Sequence, residues 1–351
     1  MKETLEILKS VRGIVTKQDA IIKRLNTELT RTQADNKKLL KTVVETLESV
    51  ESTNKIILFA LNEGKTLKEI SRSVFNTYPK ATGILKDVQA CNLHLLRDFK
   101  SYCDYLDIKF WLHAGTLIGA LRNDGFVQWD DDVDVAMTRK DFNILKDNIR
   151  YNQLLDLNEY YNDITCSRQY QLKYKTNQVP IFIDIAVYDT CSARTSAEQT
   201  RFWQNYRNTR RKMCNDFKTK IGAPPVIDIG YHHVGLYPDD IKIAVDALID
   251  TASGSVREEG EKLTKPSYFY SIDNYPFTYP IMKYEQLFPL RLVKFETEEL
   301  YIPAQPEFYL KYGYGNIWMP PKDIGSTPHL YAFESYALEM KAFIEERNKN
   351  V

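Results

Sequence analysis

Through the first sixty residues apolar positions recur at heptad spacing. With Leu8 as position a, the a series runs Leu8, Val15, Ile22, Leu29, Asn36, Val43, Val50, Ile57, while about half of the d series (Val11, Gln18, Leu25, Thr32, Leu39, Thr46, Thr53) is polar. No proline and only Gly13 interrupt the stretch. The pattern predicts a long coiled-coil helix over residues 1–62, or an amphipathic helix folded onto the chain's own globular part. Asn36 at an a position favours a defined register in a two-stranded parallel pair. A shorter helical pattern (Leu67, Ile70, Val74) ends at Tyr78-Pro79, because the residue before proline leaves the helical region. Residues 63–82 therefore read as a short helix and linker. From Ile84 to Leu106 the spacing of Leu85, Val88, Leu95, Leu96, Phe99 and Tyr102 predicts the helix that opens the main unit, 83–347.

Beyond Ile108 the period shortens. Lys109–His113, Asp132–Met137, Tyr170–Tyr174 and Ile181–Tyr188 read as strands. Helical patterns return at Ser196–Phe217 and Asp239–Leu263, around a Pro- and Gly-punctuated loop at Gly222–Pro238. The tail from Ser267 reads as irregular packed loop closed by a helix over about Tyr331–Arg347. These elements describe an α+β fold in which residues 192–280 are a mostly helical insert.

Composition narrows the function. Lys+Arg 47 against Asp+Glu 47 gives zero net charge, so nothing in the balance draws the chain to nucleic acid. Five cysteines without CxxC spacing argue against a disulfide framework or a zinc ribbon. The longest apolar run, Ile56–Leu61, is far too short to span a membrane, and the N-terminus lacks an apolar signal core. The expected location is cytoplasmic, with a membrane-peripheral position left open. Arg207–Lys212 reads as a solvated basic helix face or as a contact for an anionic acceptor.

The chemistry gathers in residues 113–137, HAGTLIGALRNDGFVQWDDDVDVAM. Gly115, Thr116 and Gly119 follow a strand and open a helix, a turn whose free backbone N–H groups and hydroxyl suit a phosphate. In Trp129-Asp130-Asp131-Asp132-Val133-Asp134, strand alternation would put Asp130, Asp132 and Asp134 on one face and Asp131 on the other. Like charges so placed call for a cation, and hard oxygen ligands suit Mg²⁺ or Mn²⁺ held together with substrate phosphates. An EF-hand is excluded because Val135 stands where its turn glycine must be. Asp184, inside the apolar run Ile181–Val187, is a further carboxylate that burial would penalise unless it met a cation or a donor.

The first block, with FIDIAVYD and PLRLVKFETEELYIPAQPEFYLKYGYGNIWMPPK further on, resembles the LicD family of phosphocholine transferases over about residues 84–340. The resemblance implies a nucleotidyltransferase-like fold, a small mixed sheet with flanking helices. It also implies a divalent metal and transfer of a phosphoalcohol from a CDP-alcohol to a glycan hydroxyl with release of CMP. By motif, Asp132, Asp134 and Asp184 would be metal ligands, Asp130 or Asp184 the general base, and Gly115 and Thr116 the phosphate turn with Arg122 beside it. Trp129, Tyr312 and Trp318 are the aromatic candidates for substrate contact, and Arg168 and Lys173 are additional cations for the developing charge. The expected partners are the CDP-alcohol, the glycan acceptor and a second copy of the chain through residues 1–60. Two rivals stand beside this reading: a nucleotide-sugar glycosyltransferase, whose DxD motif also binds a metal, and a coiled-coil scaffold with a degenerate catalytic domain.

Overall fold

A computed structural model describes residues 64–162, 167–176, 179–191, 195–221, 243–244, 246–249, 268–273, 281–319 and 330–349. By compactness the chain divides into residues 1–70 and 71–351. The coiled coil expected over 1–62, the loop at 222–238 and most of the helix expected at 239–263 lie outside the described residues.

After helix α1 (Leu67–Phe75), helix α2 (Gly83–Tyr105) buries Val88, Cys91, Leu95, Leu96, Phe99 and Cys103, the three- and four-residue spacing of one apolar stripe. It stops where Asp107 adopts φ 52° and the N–H groups of Asp107 and Ile108 turn back to the carbonyls of Asp104 and Cys103, a Schellman end. Strand β1 (Phe110–Leu112), helix α3 (Ala114–Asn123), strand β2 (Asp134–Thr138), helix α4 (Arg139–Asn148) and strands β3 (Leu155–Asn162), β4 (Ser167–Tyr174) and β5 (Phe182–Cys191) follow. Helix α5 (Ser196–Ile221) precedes strands β6 (Tyr268–Tyr270) and β7 (Met282–Lys283), then a one-turn helix α6 (Tyr284–Leu287) and the hairpin of β8 (Arg291–Phe295) and β9 (Glu298–Ile302). Helices α7 (Pro306–Tyr314), α8 (Leu330–Phe333) and α9 (Ala337–Lys349) complete the described chain.

The main sheet runs β1-β2-β5-β4-β3, with β6 and β7 extending from the far half of β5. Among the described strands only the β2–β5 pair is parallel; the remaining pairs are antiparallel. This is the mixed sheet with flanking helices that the resemblance implies. One face, with Val135, Met137, Ile183, Ile185, Val187 and Leu172, enters the buried core together with the α2 stripe.

Several expectations change. The strand expected to begin at Asp132 begins at Asp134, so Asp130–Val133 is approach loop rather than strand. Strand β3 escapes the pattern because Glu159 interrupts the apolar face of LDLNEYYN (Leu155, Leu157, Tyr161) and Tyr160 interrupts the polar one. The tail expected to be irregular holds β6, β7, a hairpin and α7, and β6 lies within the residues expected to form a helical insert. Arg210, expected on a solvated basic face, is fully buried and donates to the Ile272 carbonyl at 2.6 Å. Gly119 serves packing: a Cβ there would stand 2.3 Å from the Gly125 carbonyl oxygen, so only glycine lets the 125–133 loop cross α3. Among the described residues no helix is long and apolar enough to cross a membrane.

Candidate active site

Strand β1 passes into α3 with no intervening loop. Ala114 takes φ 41° at the first helical position, a left-handed conformation that costs free energy in a residue with a side chain and concentrates at functional sites. The corner is tied to β2: His113 N–H donates to the Asp134 carbonyl at 3.1 Å, and Asp134 N–H donates to Thr116 Oγ1 at 2.9 Å. The Gly115 N–H also donates to the Asp134 carboxylate, where the positive end of the α3 dipole favours negative charge. The turn expected to hold a phosphate thus holds Asp134, and Thr116 is fully buried in doing so.

The loop before β2 brings in the other carboxylates. Gln89 on α2 fastens it, its amide donating to the carbonyls of Val127 (3.1 Å) and Asp130 (2.8 Å). A Cβ on Gly115 would lie 3.2 Å from Asp130 Oδ2, so the missing side chain admits that carboxylate against the start of α3. Burial pushes the Asp130 carboxyl well above the usual range, Asp132 and Asp131 add to this, and Arg122 opposes it. Asp134 is pushed up by burial, then by Asp132, Asp184 and Asp130, against the Gly115 N–H. Asp184 reaches the cluster because the parallel register pairs it with Asp134. Its own N–H donates to the Val133 carbonyl at 2.9 Å, and the Tyr160 hydroxyl donates to its Oδ1 at 3.3 Å. Asp130, Asp132, Asp134 and Asp184 therefore share one site. Asp131 is buried, its carbonyl accepting from Asn92 Nδ2.

A divalent cation fits this donor set. Asp130 Oδ2 is buried with no hydrogen-bond partner, and the carboxylates raise one another's proton affinity, a repulsion that a cation removes. Among the described residues no group of three His, Cys, Asp or Glu side chains stands in a geometry that holds a metal ion; a Mg²⁺ ion at Asp132, Asp134 and Asp184 would take part of its oxygen shell from substrate.

The cationic and aromatic candidates divide. The Arg122 guanidinium lies beside Asp130 and 3.8 Å over the Phe75 ring, with Nη1 donating to the Ile317 carbonyl at 3.1 Å; burial pushes its pKa down to about 10. Arg168 is not at the site: on the opposite face of β4 it pairs with Asp246 (3.1 Å) and Asp273 (3.4 Å). Trp129 is half-buried with its ring edge-on to Tyr78, and Trp318 is half-buried with its carbonyl accepting from Ser71. The Tyr312 hydroxyl accepts from Arg207.

Three contributors escaped sequence reasoning. Tyr314, two residues beyond Tyr312 and 46% exposed as a residue, has its phenol near the carboxylates: burial of that phenol, then Asp134, Asp130 and Asp132, push its proton affinity up. Only the helical phase of α7 distinguishes it from Tyr312. His113 is buried, and burial pushes its pKa down to about 3. Its Nε2 meets the hydroxyls of Tyr309 (2.9 Å) and Tyr188 (3.2 Å), joining the corner to α7 and β5. Tyr160 reaches Asp184 from the unpredicted β3.

A mixed α/β domain with four aspartates gathered at a strand-to-helix corner is the class defined so far. Residues 107–221 match the family model described as LicD/FKTN/FKRP, nucleotidyltransferase domain. The lipopolysaccharide cholinephosphotransferase LicD of Haemophilus influenzae is 31% identical over 121 residues, 30% of this chain and 44% of that protein. Uncharacterized proteins of Rickettsia typhi and Rickettsia prowazekii are 33% and 36% identical over 58 and 47 residues, 16% and 13% of this chain and 19% and 18% of theirs. The chain thus spans less than half the length of these curated relatives. The family match is to a LicD-type nucleotidyltransferase domain and covers residues 107–221 of this chain.

Proposed function

We propose that the chain is a phosphotransferase that moves a phosphoalcohol, such as phosphocholine, from a CDP-alcohol to a hydroxyl of a cell-surface glycan and releases CMP. The observation that carries this reading is the meeting of Asp130, Asp132, Asp134 and Asp184 at the start of α3, inside the matched segment. Phosphoryl transfer asks for positioning and charge neutralisation more than for covalent help.

A divalent cation held by Asp132, Asp134 and Asp184 would supply charge neutralisation at the diphosphate and the leaving CMP. The chain's own residues do the rest. The corner of His113, Gly115 and Thr116 fixes Asp134 by its carbonyl, carboxylate and N–H. Arg122 sets a positive charge beside Asp130. Asp184 accepts the proton of the acceptor hydroxyl as its oxygen bonds to phosphorus and the bond from phosphorus to the CMP oxygen breaks. Tyr314 lies where a donor's diphosphate or alcohol would approach the carboxylates.

The test is calorimetric titration of CDP-choline, CDP-glycerol, CDP-ribitol, CMP and UDP-sugars with Mg²⁺ or Mn²⁺, on the wild type and on Asp132→Ala/Asp134→Ala. The expected result is metal-dependent binding of one CDP-alcohol, weakened by about a hundredfold or more in the double variant. Preference for a UDP-sugar would replace this reading with a glycosyltransferase, and no nucleotide binding would leave a scaffold.

A further inference from the structure

The sheet face that carries Asp134 and Asp184 continues past them. Asp134 pairs with Asp184, Asp184 with Gln171, and Gln171 with Asn158. Directly paired residues point to the same side, so polar side chains from β2, β5, β4 and β3 form one row across the sheet. At its β2 end the row meets the start of α3. At its other end β3 is the edge strand, where Asn158 is half-buried.

Gln171 is the unexplained member. It is 3% exposed, and its amide nitrogen has no hydrogen-bond partner. A buried donor left unpaired is destabilising, a cost that an apolar residue of the same size would avoid. Beside it the Tyr160 hydroxyl reaches Asp184 at 3.3 Å, longer than an ordinary O–H···O bond. Neighbouring strands lie about 4.8 Å apart, so a side chain that starts on β3 and ends on β5 crosses β4. Its backbone position opposite Gln169 and its target opposite Gln171 carry it across β4 between those two glutamines. The row therefore holds a buried donor lacking an acceptor, next to a carboxylate that the Tyr160 hydroxyl reaches over a long bond.

In-line transfer sets the attacking and leaving oxygens on opposite sides of phosphorus. With the diphosphate at Asp132 and Asp134 beside α3, the attacking hydroxyl arrives from the β5–β4 side. We propose that Asp184, Gln171 and Asn158 form the acceptor subsite for a sugar or polyol. The ligand's hydroxyl takes the place of the Tyr160 hydroxyl on Asp184, and the Gln171 amide donates to that oxygen or its neighbour. This rests on the transferase reading above and adds the position and class of its second substrate.

The experiment is saturation-transfer difference NMR on the full chain with CMP and Mg²⁺, with methyl β-D-galactopyranoside and glycerol as probes. The wild type is expected to transfer saturation to at least one probe. Gln171→Leu is expected to lower that transfer by about fivefold while calorimetry finds CMP affinity within about twofold of wild type. Asn158→Ala, at the half-buried edge where folding is least at risk, is expected to lower it as well, and Tyr160→Phe to keep or raise it. No transfer to either probe, equal transfer in Gln171→Leu and Asn158→Ala, or loss of CMP binding in step with probe binding would each overturn the subsite. A wild type that binds no nucleotide yet saturates a probe in a Gln171-dependent way would sink the transferase reading and leave the polyol site standing.

Discussion

Tyr312 and Tyr314 stand two residues apart in one aromatic-rich segment, and only their surroundings separate them. The Tyr312 hydroxyl is engaged by Arg207, whereas the Tyr314 phenol faces Asp130, Asp132 and Asp134. Tyr314→Ala is therefore expected to weaken CDP-alcohol binding by about tenfold, the worth of one good polar or cation–π contact, and Tyr312→Phe to leave it unchanged; calorimetry on the two variants checks this. The reverse order would return the substrate contact to Tyr312. The alternate aspartates were legible because their chemistry is local: carboxylates crowded into one short segment call for a cation, and apolar neighbours keep them out of bulk water. Gln171 and Tyr160 were not, because each gains meaning only from residues on other strands.

At the scale of elements, the side of the sheet away from the carboxylates is held by a buried ion network. Arg139, the first residue of α4, binds Asp189 of β5 through two nitrogens at 3.0 Å and Asp273, just past β6, at 2.7 Å. Arg168 and Tyr170 of β4 also reach Asp273, the latter at 2.8 Å. Burial opposes ionisation of Asp273, yet Arg139 and then Arg168 hold its carboxyl down to about 2. Because its ordinary value is near 3.9, the folded state prefers the ionised form. The stability this lends is present above about pH 4 and is lost as pH falls toward 2, on the order of 2 kcal/mol. Urea melts between pH 6 and pH 2.5 should show that loss, and Asp273→Asn is expected to be less stable at neutral pH with a flatter acid limb. An unchanged acid limb would remove Asp273 as its source. The strand pattern announced β5, whose core-facing residues are nearly all apolar. It missed β6, a run of three residues whose place is set by pairing with β5, and it divided the charged partners among segments 50 to more than 100 residues apart.

At the scale of the whole molecule, every residue placed at the site belongs to 71–351, one of the two compact units. A chain lacking residues 1–62 is expected to bind the CDP-alcohol within about twofold of the full chain and to show a lower oligomeric mass by light scattering. A large loss of affinity would make the N-terminal segment part of the site. The likeness to the LicD family, the mixed α/β character and the choice of the four aspartates as candidates were determined by sequence alone, because motif residues, apolar periodicity and local charge density are properties of adjacent positions. The tertiary structure decided what depends on distant positions meeting: that Gly115 and Thr116 hold Asp134, that Gly119 serves a backbone crossing, that Arg168 turns away from the site, and that Asp184 heads a polar row reaching Gln171 and Asn158. Strand order and register place those groups together, and both are set by burying the apolar face of the whole sheet, which no single stretch of sequence contains.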